Sequence, residues 1–179
     1  MPAFASRLAA LLLLAAPFAL AAEPPRTVAV TQIVEHPSLD AARRGILDEL
    51  AAAGFASGQN LKVDYQNAQG NPATAAQIAR KFVGDRPDVI VAITTPSAQA
   101  VAAATRELPI VFCSVSDPLA AKLVANLDRP GGNVTGTSDL SPIAEQLDLI
   151  RELSPAAKRL GVIYNPGEAN SVSLVGSLK

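Results

Sequence analysis

Asp88–Val115 reads DVIVAITTPSAQAVAAATRELPIVFCSV, and this stretch decides the fold. Asp88–Ile93 is short, apolar and rich in β-branched residues, the pattern of a strand buried on both faces. Thr95-Pro96 then opens a helix running to about Glu107, because proline suits the first turn, where an N–H has no helical partner. Pro109–Val115 is a second buried strand. A helix of this length between two such strands predicts a right-handed crossover and parallel pairing.

The same alternation extends in both directions. Arg26–Val34 (RTVAVTQIV) reads as a strand, and Pro37-Ser38 opens a helix with Ser38 as its N-cap. Leu39, Ala42, Ile46, Leu47, Leu50 and Ala53 form its apolar stripe, and Gly54 ends it. Asn60–Gln66 alternates as a strand with one wetter face, and Asn71-Pro72 starts a helix over Pro72–Val83. Downstream, Asp117-Pro118 leads a short helix and Asp128–Asn133 (DRPGGN) is a loop. Val134–Thr137 is extended, and Ser141-Pro142 precedes an amphipathic helix with Ile143, Leu147, Ile150 and Leu153 on one face. Arg159–Tyr164 reads as a last strand, and Asn165-Pro166-Gly167 turns into a final helix. The fold class expected is α/β, a doubly wound parallel sheet.

Composition narrows the function. Across 179 residues, 15 Lys+Arg face 16 Asp+Glu, so no cationic excess exists to neutralise nucleic-acid phosphates. The single Cys excludes an intramolecular disulfide and any zinc site built from several thiolates. No G-x-G-x-x-G follows the first strand, where His36 and Pro37 stand, and no G-x-x-x-x-G-K-[ST] occurs, so nucleotide loops are disfavoured. No metal or cofactor is expected. Residues 1–22 (MPAFASRLAALLLLAAPFALAA) carry Arg7 as their one charge. Their apolar run, Leu8–Leu20, is about 13 residues, short of the roughly 20 a membrane span needs. With small residues in Ala19-Leu20-Ala21, this reads as a cleaved secretory signal over residues 1–21, without the Cys a lipid anchor requires. A periplasmic protein is expected.

In open α/β sheets, ligands bind at the carboxyl ends of the strands, against helix N-termini. The loops there are Glu35–Ser38, Thr94–Ser97, Ser114–Pro118, Ser138–Pro142 and Asn165–Ser171. His36 is a candidate general base, although a lone His beside Pro is more often solvated or a cap. Cys113, inside an apolar strand, reads as a packed, inert thiol. Thr95, Ser97, Ser116 and Asp117 read as helix caps, and a Ser or Thr in that position can also hold a carboxylate. Asp117 and Glu35 suit an ammonium or hydroxyl partner, or stay solvated.

Six stretches in order carry a family resemblance: His36–Asp40 (HPSLD), Tyr65–Gly70 (YQNAQG), Ala92–Gln99 (AITTPSAQ), Ser116–Pro118 (SDP), Pro130–Gly136 (PGGNVTG) and Tyr164–Ser171 (YNPGEANS). The chain resembles the ABC-transporter substrate-binding protein family of the type I periplasmic binding protein fold, in the branch associated with tryptophan, tyrosine or phenylalanine uptake. The resemblance implies a two-lobed monomer that closes on a small solute, an amino acid with an aromatic one favoured, and presents it to an ABC permease in the membrane. It implies a first lobe over residues 22–137, and a hinge and the beginning of a second lobe over 138–179. The rest of that lobe would lie beyond Lys179, so the chain reads as a C-terminally truncated fragment. Carried over by position, the ligand-binding residues would be Glu35, His36, Thr95, Ser97, Ser116, Asp117, Asp139, Asn170 and Ser171. The ligand carboxylate would sit beside Thr95 and Ser97, or beside Asn170 and Ser171. Its ammonium would meet Asp117 or an acidic group of the remaining lobe.

Two other classes compete. An exported enzyme would pair His36 with Glu35 or Asp117, but no nucleophile motif accompanies the histidine. A transcriptional regulator of the same fold would carry a basic helix-turn-helix where the signal segment stands.

Overall fold

The computed structural model describes residues 23–178, so the signal segment read at residues 1–21 lies outside the described residues. Ten elements follow in chain order: β1 (Arg26–Gln32), α1 (Pro37–Ala52), β2 (Leu61–Asn67), α2 (Pro72–Asp85), β3 (Val89–Ile93), α3 (Thr95–Ala104), β4 (Ile110–Val115), β5 (Val134–Ser138), α4 (Ile143–Leu153) and α5 (Ala169–Gly176). The strands form one five-stranded sheet in the order β2-β1-β3-β4-β5. Every pair is parallel, with Val30 beside Tyr65 and Val91, and Val91 beside Val111. The expected α/β class and parallel sheet are found.

Side chains alternate across the sheet. Ala29, Ile90, Ala92, Ile110 and Phe112 face α2 and α3, where Phe82 and Val101 are fully buried. Val28, Val30, Val91 and Ile93 face the other way, toward Leu39, Ile46 and Leu50 of α1. At roughly 1.5–3 kcal/mol per fully buried large apolar side chain, the α2–α3 layer supplies most of the core stabilisation. By contrast, α1 buries no residue fully. On its side of the sheet Val111 stays 37% exposed.

Several local readings are corrected. Ser38 does not cap α1: the cap is His36, whose ring Nδ1 accepts the Ser38 N–H at 3.3 Å. Ala53 is exposed rather than part of the α1 stripe. Asn71 caps α2 as expected, accepting from Ala73 and Thr74 N–H groups at 2.8 and 3.2 Å. The helix expected after Pro118 is only a run of turns, halted where Lys122 adopts φ 58°. Arg159–Tyr164 is not a strand, and Ile163 is fully exposed. A strand exists only through hydrogen bonds to a neighbour, and none of the described residues lies alongside to supply them. In α4, Ile150 and Leu153 are likewise exposed.

The Pro130–Gly136 stretch has its own reason. Gly136 lies opposite Phe112 in the β4–β5 ladder. A Cβ at Gly136 would collide with the Phe112 backbone carbonyl and ring.

Candidate functional site

From β1 the chain steps to β2 on one side, and from β3 onward it steps to β4 and β5 on the other. Between β1 and β3 the winding reverses, and in open parallel sheets the carboxyl ends at such a point frame a ligand crevice. Two segments flank it here: the loop after Gln32 and the loop after Ile93.

Thr94 follows β3 at φ 82°, an unusual backbone for a β-branched residue. As the N-cap of α3 it makes no side-chain capping bond. Thr95 is 2% exposed and Ser97 fully buried. The hydroxyls of Thr94 and Ser97 are buried with no hydrogen-bond partner. The first N–H groups of any helix lack helical acceptors and need a cap, water or ligand. Helices α1 and α2 are served by the His36 and Asn71 side chains. The α3 N-terminus thus combines a positive helix end with unengaged hydroxyls, a pattern that accepts an anion.

Across the reversal point, Gln32 is fully buried at the end of β1. Its Nε2 donates to the Val34 carbonyl at 3.0 Å and to Asp40 Oδ1 at 2.9 Å. Its Oε1 has no donor. This network ties the β1–α1 loop to α1, so Glu35 and His36 are presented on an anchored loop. Both are exposed. Because His36 Nδ1 accepts the Ser38 N–H, Nε2 is left as the ring's donor.

The remaining sequence candidates reach the same edge of the sheet. Ser116 and Asp117 follow β4 and are half-buried, while Asp139 follows β5 and is exposed. The Ser116 carbonyl accepts from Ser138 Oγ at 2.9 Å, and Asp139 N–H reaches the Val115 carbonyl at 3.2 Å. Asn170 and Ser171 lie in the first turn of α5, half-buried, with Asn170 Oδ1 unpartnered. Asp117 is not a free carboxylate. Its Oδ1 accepts the Ala120 N–H at 2.9 Å and its Oδ2 the Ser173 hydroxyl at 2.5 Å. The Ala120 N–H first, and then the Ser173 hydroxyl, hold its pKa below the ordinary carboxylate range against the opposing effect of partial burial.

Gln32, Thr94 and Ser173 escaped sequence reasoning. A glutamine closing an otherwise apolar strand was a readable signal for the first. Thr94 and Ser173 carried none, because a positive φ and a contact spanning 56 residues are tertiary properties.

Elsewhere, a depression of about 340 Å3 opens at the amino ends of β1 and β2, lined by Thr27, Lys62, Asp64 and Lys81. Its two carboxylates are already paired, since Lys81 bonds Asp64 directly and Asp85 at 2.7 Å. Among the described residues no group of three or more His, Cys, Asp or Glu could hold a metal ion. No described helix is long and apolar enough to cross a membrane.

Residues 27–179 match the family model described as ABC transporter substrate binding protein. A tyrosine-binding protein of Clostridioides difficile is 49% identical over 153 residues, which are 86% of this chain and 44% of that protein. A crystal structure of a conserved domain protein from Vibrio cholerae superposes with a TM-score of 0.84 at 59% identity, over 86% of this chain and 52% of that one. An ABC domain from Streptococcus pneumoniae in complex with L-Trp gives 0.83 at 40% identity, over 87% and 52%. The chain therefore spans about half the length of the relatives it matches. Shared sequence along nearly all the described residues and a shared parallel sheet lead to one conclusion: the chain belongs to the ABC transporter substrate-binding protein family.

Proposed function

We propose that this chain is part of an exported solute receptor that binds an aromatic amino acid and delivers it to the permease of an ABC import system. The observation that carries the reading is the α3 N-terminus, left without a side-chain cap beside the buried, unpartnered hydroxyls of Thr94 and Ser97. A ligand carboxylate there would satisfy both the helix N–H groups and the hydroxyls. The aromatic preference is supported by two relatives, one named tyrosine-binding and one bound to L-Trp.

In this reading Glu35, His36, Thr95, Ser97, Ser116, Asp139, Asn170 and Ser171 face the solute, and Asp117 serves it indirectly. Residues 22–137 are the first lobe, and 138–179 are the hinge and the beginning of a second lobe. The protein works in the periplasm as a monomer, after removal of residues 1–21, and binds without turnover. Use of His36 Nδ1 as a cap weighs against the enzyme alternative.

Calorimetry on the full-length protein tests this with L-tyrosine, L-tryptophan and L-phenylalanine against tyramine, which lacks the carboxylate. At least one of the amino acids should bind and tyramine should not. At a hundredfold excess over Kd the ligand should add about 2.7 kcal/mol of stability. Tyramine binding as tightly as tyrosine, or no response to any of the three amino acids, overturns the reading.

A further inference from the structure

We propose that the hydrogen bond from Ser173 to Asp117 is an affinity-setting latch that pre-docks α5 against the sheet, making Ser173 a positioning residue for the binding reaction proposed above. Among the described residues, it is the one hydrogen bond joining residues 143–178 to residues 23–138. Its acceptor is preset. The Ala120 N–H, which belongs to the sheet unit and not to α5, holds Asp117 Oδ1 at 2.9 Å. The donor arrives at 2.5 Å from the second turn of α5, 56 residues away.

Toward the sheet little else restrains α5, whose other face shares an apolar groove with Leu147 and Ile150 of α4 and with Leu160. Residues 154–167 are exposed and form no regular element that could dock α5 through strand pairing. The other attachment to the sheet unit, among the described residues, is Ala169, packed against the main core cluster. A hydrogen bond to a carboxylate is stronger than one between neutral groups. Where one such bond separates docked from undocked α5, it sets the docked fraction. Affinity falls in proportion to the competent fraction of the protein. Asp117 therefore acts on the solute through α5 rather than by meeting its ammonium, which leaves that charge to another acidic group.

The test uses the full-length protein with Ser173→Ala, Ser173→Thr and Asp117→Asn. Nitroxide labels at exposed Arg106 and Ser177 report the distance from α5 to the sheet unit, and L-tyrosine and L-tryptophan are the binding probes. Ser173→Ala should broaden and lengthen the ligand-free distance distribution and raise Kd roughly ten-fold, about 1.4 kcal/mol, by lowering the competent fraction. Ser173→Thr keeps the hydroxyl and should restore both to within about two-fold, which a general packing role would not do. An unchanged distance distribution in Ser173→Ala overturns the latch. So does unchanged affinity in Ser173→Ala combined with loss of binding in Asp117→Asn, because Asp117 would then bind the solute itself. If the wild-type protein binds neither amino acid, the functional reading fails while the ligand-free distances still decide the latch.

Discussion

The backbone N–H of Thr94 donates to the carbonyl of Cys113 at 2.9 Å, joining the carboxyl ends of neighbouring strands β3 and β4. This bond helps hold Thr94 at φ 82°, where a β-branched residue is strained. The strained turn puts the first turn of α3 immediately against the end of β3, which brings Ser97 into full burial. Stability and site geometry are opposed at this residue. Thr94→Gly should raise the stability of the ligand-free protein by about 1 kcal/mol, since glycine accepts positive φ and the unpartnered hydroxyl disappears. It should at the same time weaken amino-acid binding. Urea denaturation alongside calorimetry checks both signs, and a stability loss would count against strain at this position.

Ser97→Ala separates a binding role from a structural one. Its hydroxyl is buried without a partner, so removing it should leave ligand-free stability unchanged or slightly higher. A hydrogen bond to a charged group is worth about 1.5–3 kcal/mol. Loss of the bond to a ligand carboxylate should therefore raise Kd about 10- to 100-fold. A matched loss of stability with unchanged Kd would make Ser97 a packing residue only.

Gly136→Ala should destabilise the sheet, because the added methyl meets the Phe112 carbonyl and ring. Overpacking of this kind costs about 1–3 kcal/mol. The β4–β5 ladder would part first, which amide hydrogen exchange at Ile110, whose N–H donates to the Asn133 carbonyl at 2.8 Å, would reveal. Gly132→Ala, with nothing within 4 Å of the new methyl, is the control and should be nearly neutral.

Asp64 predicts an acid dependence. The Lys81 ammonium, hydrogen-bonded to its carboxylate, is the largest cause holding the Asp64 pKa below the ordinary value, with Gln66 also donating. A carboxyl with a depressed folded pKa binds protons less readily folded than unfolded. Its contribution is therefore fully present above the unfolded value of about 3.9, and is lost as pH falls through the lower folded pKa. Asp64→Asn should lower stability at pH 7 and flatten the acid limb between pH 6 and pH 2.5. Urea midpoints across that range check it, and parallel curves for the two proteins would remove Asp64 from the account. The effect should be small and should shrink in high salt, because Lys81 is 48% exposed and Asp64 33% exposed.

Local chemistry made much of the fold legible. Asn71-Pro72 announces its helix, since the asparagine caps and the proline needs no partner. The apolar run of Val89–Ile93 identifies a strand covered on both faces. His36 shows the limit of such reading: local pattern favours a cap at Ser38, but ring geometry lets the residue two positions earlier reach the same helix end. Arg159–Tyr164 has a strand's composition and no strand, because β structure is a property of pairs. In the candidate site, Thr95 and Ser97 were readable from their place after a buried strand. Thr94 was not, because its importance lies in a backbone angle set by the Cys113 carbonyl.

By itself, then, the sequence determined the alternation of strands and helices, the parallel sheet and the loops that carry the candidate residues. Those features follow from hydrophobic period and turn chemistry, which act over a few residues. Only the tertiary structure decided that the sheet runs β2-β1-β3-β4-β5. It alone put Gln32 and Thr94 at the ends of adjacent strands β1 and β3, and brought Asp117 to Ser173. Such pairings depend on which distant segments exclude water from one another, and no local pattern in the chain encodes them.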